Sequence, residues 1–296
     1  MVSVCIGVYG LQDWFGGEIA PVVALAVAAE RAGVDQINIT DHVVMGNRTD
    51  RYPYGKFMTP PDYPWFEPLV YLAAVAGATQ HIRLATGVVI APLRPAALLA
   101  KQAATLDLLS SGRLDLGIGV GWQPEEYRAC GVPFEDRYQI LDEQMQAARR
   151  LWTQSPASFH GKYIDFEDIY CRPFPAQKRL PLLFGLAPLS KNIARIAEYG
   201  DGWLPIVQDP VAIGAGVALM HDAFRARARD PRELKVRAVP EAAFTADGQP
   251  DLEATLARVP ALVAAGVTTI ELHAVMYCRG PDEFDKFCRR LVTLKQ

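Results

Sequence analysis

The feature that most constrains this chain is an alternation kept up along its length: short apolar runs of strand character, each separated from the next by a helical pattern. The runs read as Val4 to Tyr9, Gln36 to Thr40, Arg83 to Ile90, Leu114 to Gly121, Leu182 to Gly185, Gly202 to Ile206, Lys235 to Pro240 and Thr268 to Ala274. Most read as continuously apolar, as strands covered on both faces of a parallel sheet do. Between them, Glu18 to Ala32 sets Ile19, Val22, Val23, Ala26 and Ala29 on one helical face and stops at Gly33. Ala96 to Leu109 and Arg137 to Trp152 repeat that period. Eight such units predict an α/β fold whose sheet closes on itself, a (β/α)8 TIM barrel with insertions; an open, doubly wound sheet is the alternative. The stretch Ala32 to Ile39 is echoed by Ala265 to Leu272, each a helix end, a glycine turn and a strand, as a repeated unit requires.

With 296 residues, half of them hydrophobic and 21% charged, the chain can bury a large core. Its net charge of −3 gives no electrostatic reason to expect nucleic acid or an anionic membrane as partner. The first residues lack a basic segment followed by an apolar one, and no apolar run approaches the roughly 20 residues of a membrane span. The five cysteines (Cys5, Cys130, Cys171, Cys278, Cys288) form no CxxC pair and read as small core hydrophobes in a reducing compartment. These observations set the expectation of a cytoplasmic protein without a metal. The five histidines lack zinc-ligand spacing, and neither a GxSxG elbow nor a phosphate-binding P-loop is present.

Two connections are long. The first, 43–67, is rich in Pro, Tyr and Gly and follows the second strand; a barrel carries its site on such loops, so this insertion should cover the mouth. The second, 154–180, precedes the fifth strand and should pack on the side or near a subunit contact. Neither reads as an interdomain linker, so residues 1–296 are expected to form one domain.

Four segments carry candidate chemistry. Asp41 and His42 close the second strand, and a charged pair at the C-terminal end of a barrel strand is a site candidate, the more so with an imidazole that exchanges protons near neutral pH. Gly117-Ile118-Gly119-Val120-Gly121-Trp122 ends the fourth strand; the third glycine of a GxGxxG dinucleotide fingerprint would fall on Trp122, so that reading fails. The glycines read instead as places where a flat ligand approaches backbone, or as tight core packing. Gly185, Leu186 and Ala187 lead from the fifth strand into a helix that Ser190 could cap, where free N–H groups would suit a phosphate. Thr86, Gly87 and Val88 place a glycine within a strand, the mark of a bulge or of close ligand contact.

At these segments the chain resembles the bacterial luciferase-like superfamily, in its coenzyme F420-dependent oxidoreductase branch. The stretches that carry the likeness are AERAGVDQINITDHVV, the block from IRLATGVVIAPLRPAALLAKQ to GWQPEEYRACGVPFEDR, and IARIAEYGDGW, spanning about Ala28 to Trp203. The resemblance implies a barrel with a flavin or deazaflavin ring at its C-terminal mouth. It implies that Asp41 and His42 stand near the cofactor. It implies a bulge at Thr86, Gly87 and Val88 backing the ring, with a non-prolyl cis peptide between Gly87 and Val88. Gly121 and Trp122 would line the site, and Gly185, Leu186 and Ala187 would hold the phosphate. The chain departs from the family pattern at Leu186, where a second glycine is usual, and at Gln123, where asparagine is. The expected activity is hydride transfer between coenzyme F420 and a small organic substrate, with His42 as proton donor or orienter. An FMN-dependent monooxygenase and a non-catalytic cofactor-binding barrel are the alternatives, and the resemblance implies a homodimer.

Overall fold

The computed structural model describes residues 2–295 and closes the sheet. The barrel strands are β1 (Ser3–Gly7), β2 (Gln36–Ile39), β3 (Arg83–Thr86, resuming at Val89–Ile90), β4 (Leu114–Gly119), β5 (Leu182–Phe184), β6 (Gly202–Trp203), β7 (Lys235–Ala238) and β8 (Thr269–His273). Every neighbour pairs in parallel in chain order, and β8 returns to β1 with Ser3 opposite Thr269 and Gly7 opposite His273. This is the expected eight-stranded α/β barrel, and the open sheet is excluded because no barrel edge remains unpaired.

Most expected strands are longer than the observed ones at their C-terminal ends. The pairing stops where the chain must turn outward into the loops of the mouth, so Gly121 (φ 60°), Gly185 and Ile206 lie beyond β4, β5 and β6. The third strand is interrupted, and the Gly87–Val88 peptide at the break is cis, as expected.

Helix α1 (Ala20–Ala32) begins two residues later than its hydrophobic period, at a turn holding Pro21, and ends at Gly33, whose φ of 92° is left-handed. Helices α2 (Pro68–Ala78), α3 (Ala96–Leu109), α4 (Pro124–Ala129), α5 (Arg137–Thr153), α6 (Ser190–Tyr199) and α7 (Pro210–Arg225) follow around the barrel. Ser190 does not cap α6: it is the first helical residue, and Leu189 precedes it without a side-chain cap. The second insertion forms an antiparallel hairpin, Ala157–His160 with Asp165–Ile169, whose Phe159 and Phe166 pack against Ala96 and Ala147 on the side of the barrel.

Register and hydrogen bonds divide the strand residues into two sets. Val4, Ile6, Ile37, Leu84, Leu116, Ile118, Val236, Ile270 and Leu272 belong to one continuous buried cluster with the helices. Each fully buried side chain of this kind contributes about 1.5–3 kcal/mol. The alternate positions point into the barrel, and there the chain is polar. Arg237 on β7 donates across the interior to Gln36 Oε1 (2.9 Å) and Asn38 Oδ1 (3.1 Å) on β2 and to the Thr86 carbonyl (2.8 Å) on β3. It pairs with Glu271 on β8 at 3.0 Å, and Asn38 donates to the same carboxylate at 2.7 Å. Nearer the N-terminal end, Asp115 accepts from Gln36, from Arg83 and from Lys235. The apolar reading of β7 and β8 therefore needs correction: Lys235, Arg237, Thr269, Glu271 and His273 alternate with apolar neighbours.

Candidate active site

A cavity of about 570 Å³ opens at the C-terminal ends of the strands. That size suits a small-molecule or cofactor site. Its floor and walls come from the strand ends: Thr40 after β2, Gly87 and Val88, Gly119 to Trp122, Gly185 to Ala187, Leu204 to Ile206, Arg237 and Val239, and Glu271 with His273. Arg51, Tyr52, Pro53 and Tyr54 of the first insertion and Arg137 and Tyr138 of α5 complete the rim. The expectation that the 43–67 insertion reaches the mouth is therefore met.

The insertion is held from beneath by buried polar groups. Gln123, with no exposed surface, accepts from the Gly46 N–H (2.6 Å) and donates to the Gly46 carbonyl (3.1 Å). Glu126 accepts from the Val43 N–H at 2.6 Å and lies 3.0 Å from His42 Nδ1. Aromatic contacts do the rest, with Tyr52, Phe57 and Trp122 in mutual contact and Tyr9 stacked on Trp65. Where the family pattern has asparagine, this chain thus uses glutamine to clamp a loop.

Of the residues singled out by sequence, Gly87, Val88, Gly121, Trp122, Gly185, Leu186 and Ala187 share the cavity wall. Thr86, Asp41 and His42 lie outside it. Thr86 is fully buried and donates to the Gly117 carbonyl. Asp41 receives a two-pronged pair of bonds from Arg94 (2.7 and 2.9 Å) and a third from the Ile90 N–H, which ties the end of β2 to the segment after β3. The His42 ring is 9% exposed, bonded to Glu126 and edge-on to Trp65, Phe57 and Trp122. It touches Trp122, which lines the cavity.

Several wall residues escaped the sequence reading: Thr40, Arg51, Arg137, Arg237, Glu271 and His273. The signal for the last three was available in the period-two alternation of β7 and β8. Nothing in the sequence marks Arg51 or Arg137. Among the described residues neither forms an ion pair with a carboxylate, and the Arg137 guanidinium lies 3.8 Å from the centre of the Phe134 ring.

The wall fits a flat, polar-edged ligand. The glycines at the β4 and β5 ends give their space to neighbours: a Cβ on Gly119 or Gly185 would come within 2.8 Å of Val88, and one on Gly121 would meet Ile90 at 3.0 Å. Among the described residues, three buried polar atoms of cavity-lining residues, Thr40 Oγ1, Trp122 Nε1 and Arg137 Nε, have no hydrogen-bond partner, and such groups ordinarily find one. Among the described residues, no group of three or more His, Cys, Asp or Glu side chains could hold a metal ion, and no helix is long and apolar enough to cross a membrane.

A protein of Mycobacterium tuberculosis is 34% identical to this chain over 241 residues, covering 79% of this chain and 85% of its own. Among solved structures, an F420-dependent secondary alcohol dehydrogenase in complex with an F420-acetone adduct superposes with a TM-score of 0.77 at 15% identity, covering 100% of this chain and 99% of its own. The oxygenating constituent of 3,6-diketocamphane monooxygenase of Pseudomonas putida, in complex with FMN, does so with a TM-score of 0.73 at 16% identity, covering 98% and 96%. At these identities the two structures share the fold. The sequence model of the luciferase-like monooxygenase family matches residues 7–274, and the chain belongs to that family.

Proposed function

We propose that this member of the family is an oxidoreductase that transfers a hydride between coenzyme F420 and a small organic substrate. The observation that carries the reading is the cavity itself: glycine-lined, at the C-terminal mouth, with Val88 presented from the β3 break and three unpartnered buried polar atoms on its lining residues. When bound, the deazaflavin supplies two-electron hydride chemistry, which leaves positioning and electrostatics to the protein. Val88 and the glycines of β4 would support one side of the ring. The segment Gly185 to Ala187, just ahead of α6, would hold the phosphate. Arg51, Tyr52 and Tyr54, carried on an insertion clamped by Gln123 and Glu126, would cover the mouth and exclude water. His42 and Asp41 would act from behind the wall, His42 by orienting Trp122 and Asp41 by fixing the β2 end through Arg94.

The FMN-dependent monooxygenase remains the second reading, favoured by the FMN complex of the same fold described above. Titrating F420 and FMN separately against tryptophan fluorescence separates the two, since Trp122 lies in the wall. Micromolar F420 binding with weak FMN binding is the expected result. The reverse order moves the assignment to the monooxygenase, and binding of neither removes the enzyme reading. In the same proposal the protein is a cytoplasmic homodimer, which light scattering checks for its oligomeric part.

A further inference from the structure

Inside the mouth of the barrel, one imidazole is placed differently from His42. His273 ends β8, lines the cavity, and keeps 29% of its side chain exposed. Its Nε2 lies 3.6 Å from Glu271 Oε1. Glu271 is itself 5% exposed and is held on both oxygens: Arg237 pairs with Oε2 at 3.0 Å, and Asn38 donates to Oε1 at 2.7 Å. Arg237 is fixed in turn by Gln36, Asn38 and the Thr86 carbonyl.

The backbone is cut to admit this chain of groups. A Cβ on Gly7, the β1 residue opposite His273, would come 2.3 Å from His273 Nδ1. A Cβ on Gly87 would come 2.5 Å from Asn38 Nδ2 and 2.9 Å from Arg237 Nη2. Two glycines on two strands thus clear the space in which the imidazole and its supports lie.

We infer that His273 is a catalytic residue of this site, the group that exchanges a proton with the substrate, and that Glu271, Arg237 and Asn38 position it. The inference rests on the hydride-transfer reading above. A cavity-lining imidazole 3.6 Å from a carboxylate that is itself locked by further bonds sets a proton-exchanging group beside a fixed charge, as general acid–base catalysis uses. The substrate is accordingly one that gains or loses a proton at oxygen while carbon gains or loses the hydride. In the reducing direction, the carbonyl carbon receives the hydride from the reduced deazaflavin. The carbonyl oxygen takes the proton from the His273 imidazolium, leaving neutral imidazole and the alcohol. In the oxidising direction, neutral His273 takes the hydroxyl proton as the hydride departs to the oxidised cofactor. The charged groups around the ring are Glu271 on its own strand and Arg237 on β7. On β1 it meets Gly7, with Cys5 one layer below, and Arg51 and Arg137 share the cavity rim.

The test compares the wild-type chain with His273→Gln and Glu271→Gln. F420 binding is measured first. Turnover is then followed by the absorbance of F420 with a panel of primary and secondary alcohols. The expected result is a loss of about 100-fold or more in kcat for His273→Gln, with F420 affinity kept within threefold. One limb of the pH profile should disappear with it. Independently of turnover, the imidazole NMR signal that is missing in His273→Gln should move in Glu271→Gln, because its carboxylate neighbour is gone. Three results overturn the inference: kcat of His273→Gln within threefold of wild type, a His273 NMR signal unchanged in Glu271→Gln, or F420 binding without turnover of any alcohol. Failure of the wild-type chain to bind F420 is a separate result, which overturns the hydride-transfer reading itself.

Discussion

The two faces of the same eight strands are built on opposite rules. Outward, toward the helices, Val4, Ile6, Ile37, Leu84, Ile118, Ile270 and Leu272 form part of one apolar cluster, and their side chains gain from leaving water without regard to direction. Inward, bulky branched residues usually fill such a barrel; here Gln36, Asn38, Asp115, Arg237 and Glu271 do so, held by bonds whose geometry is fixed. A polar interior of this kind stabilises only while every member is satisfied. The apolar shell therefore supplies the adhesion, and the interior supplies a rigid, directional floor beneath the cavity.

This contrast can be broken experimentally. The largest effect should come from Arg237→Ala, which strands Glu271 in the interior; loss of one partner of a buried pair costs about 3–5 kcal/mol. Urea denaturation should show it, and a loss below 1 kcal/mol would mean that the interior network is only decoration. Ile6→Ala, in the outer shell, should cost about 3 kcal/mol through lost transfer energy and the cavity left behind. In contrast to Arg237→Ala, it should leave the affinity for F420 unchanged. If both variants impair binding equally, the division between shell and floor fails.

Smaller changes sharpen the comparison at the boundary between floor and cavity. Gly7→Ala places a methyl group where the His273 ring lies. Overpacking should lower stability by about 1–3 kcal/mol, and the His273 NMR signal should shift. Trp122→Phe keeps the aromatic wall and deletes the unpartnered Nε1 donor. A lost hydrogen bond of about 1 kcal/mol corresponds to roughly fivefold weaker F420 binding; an unchanged affinity would show that this N–H faces no ligand atom.

The smallest effect concerns pH. Burial pulls the Asp115 carboxyl upward, but the bonds and charges of Arg83 and Lys235 outweigh it and hold the group below its ordinary range. Its folded pKa is therefore lower than its unfolded one, near 3.9. The stability it contributes is complete above that unfolded value and is lost as pH falls through the folded value. Thermal melts at pH 7 and pH 3 should differ less for Asp115→Asn than for wild type, and equal differences would remove Asp115 from the acid response.

By itself the sequence determined the alternation of strands and helices, because eight strand and helix periods with glycine stops such as Gly33 are local signals that short segments carry alone. It also marked the wall at Gly87, Val88, Gly121, Trp122, Gly185, Leu186 and Ala187, through glycines at strand ends together with the resemblance to the family. Only the tertiary structure decided what faces that wall. Asp41 and His42 sit at a strand end as a site pair would, yet Arg94, 53 residues on, and Glu126, 84 residues on, draw them into buried pairs behind it. Arg237 and Glu271 meet Asn38, some 200 residues away, because barrel closure brings β7 and β8 to face β2 across the interior. Which polar side chains meet there depends on strand tilt and register around the whole circle. Those are set by the closing of all eight strands together and are written in no single segment.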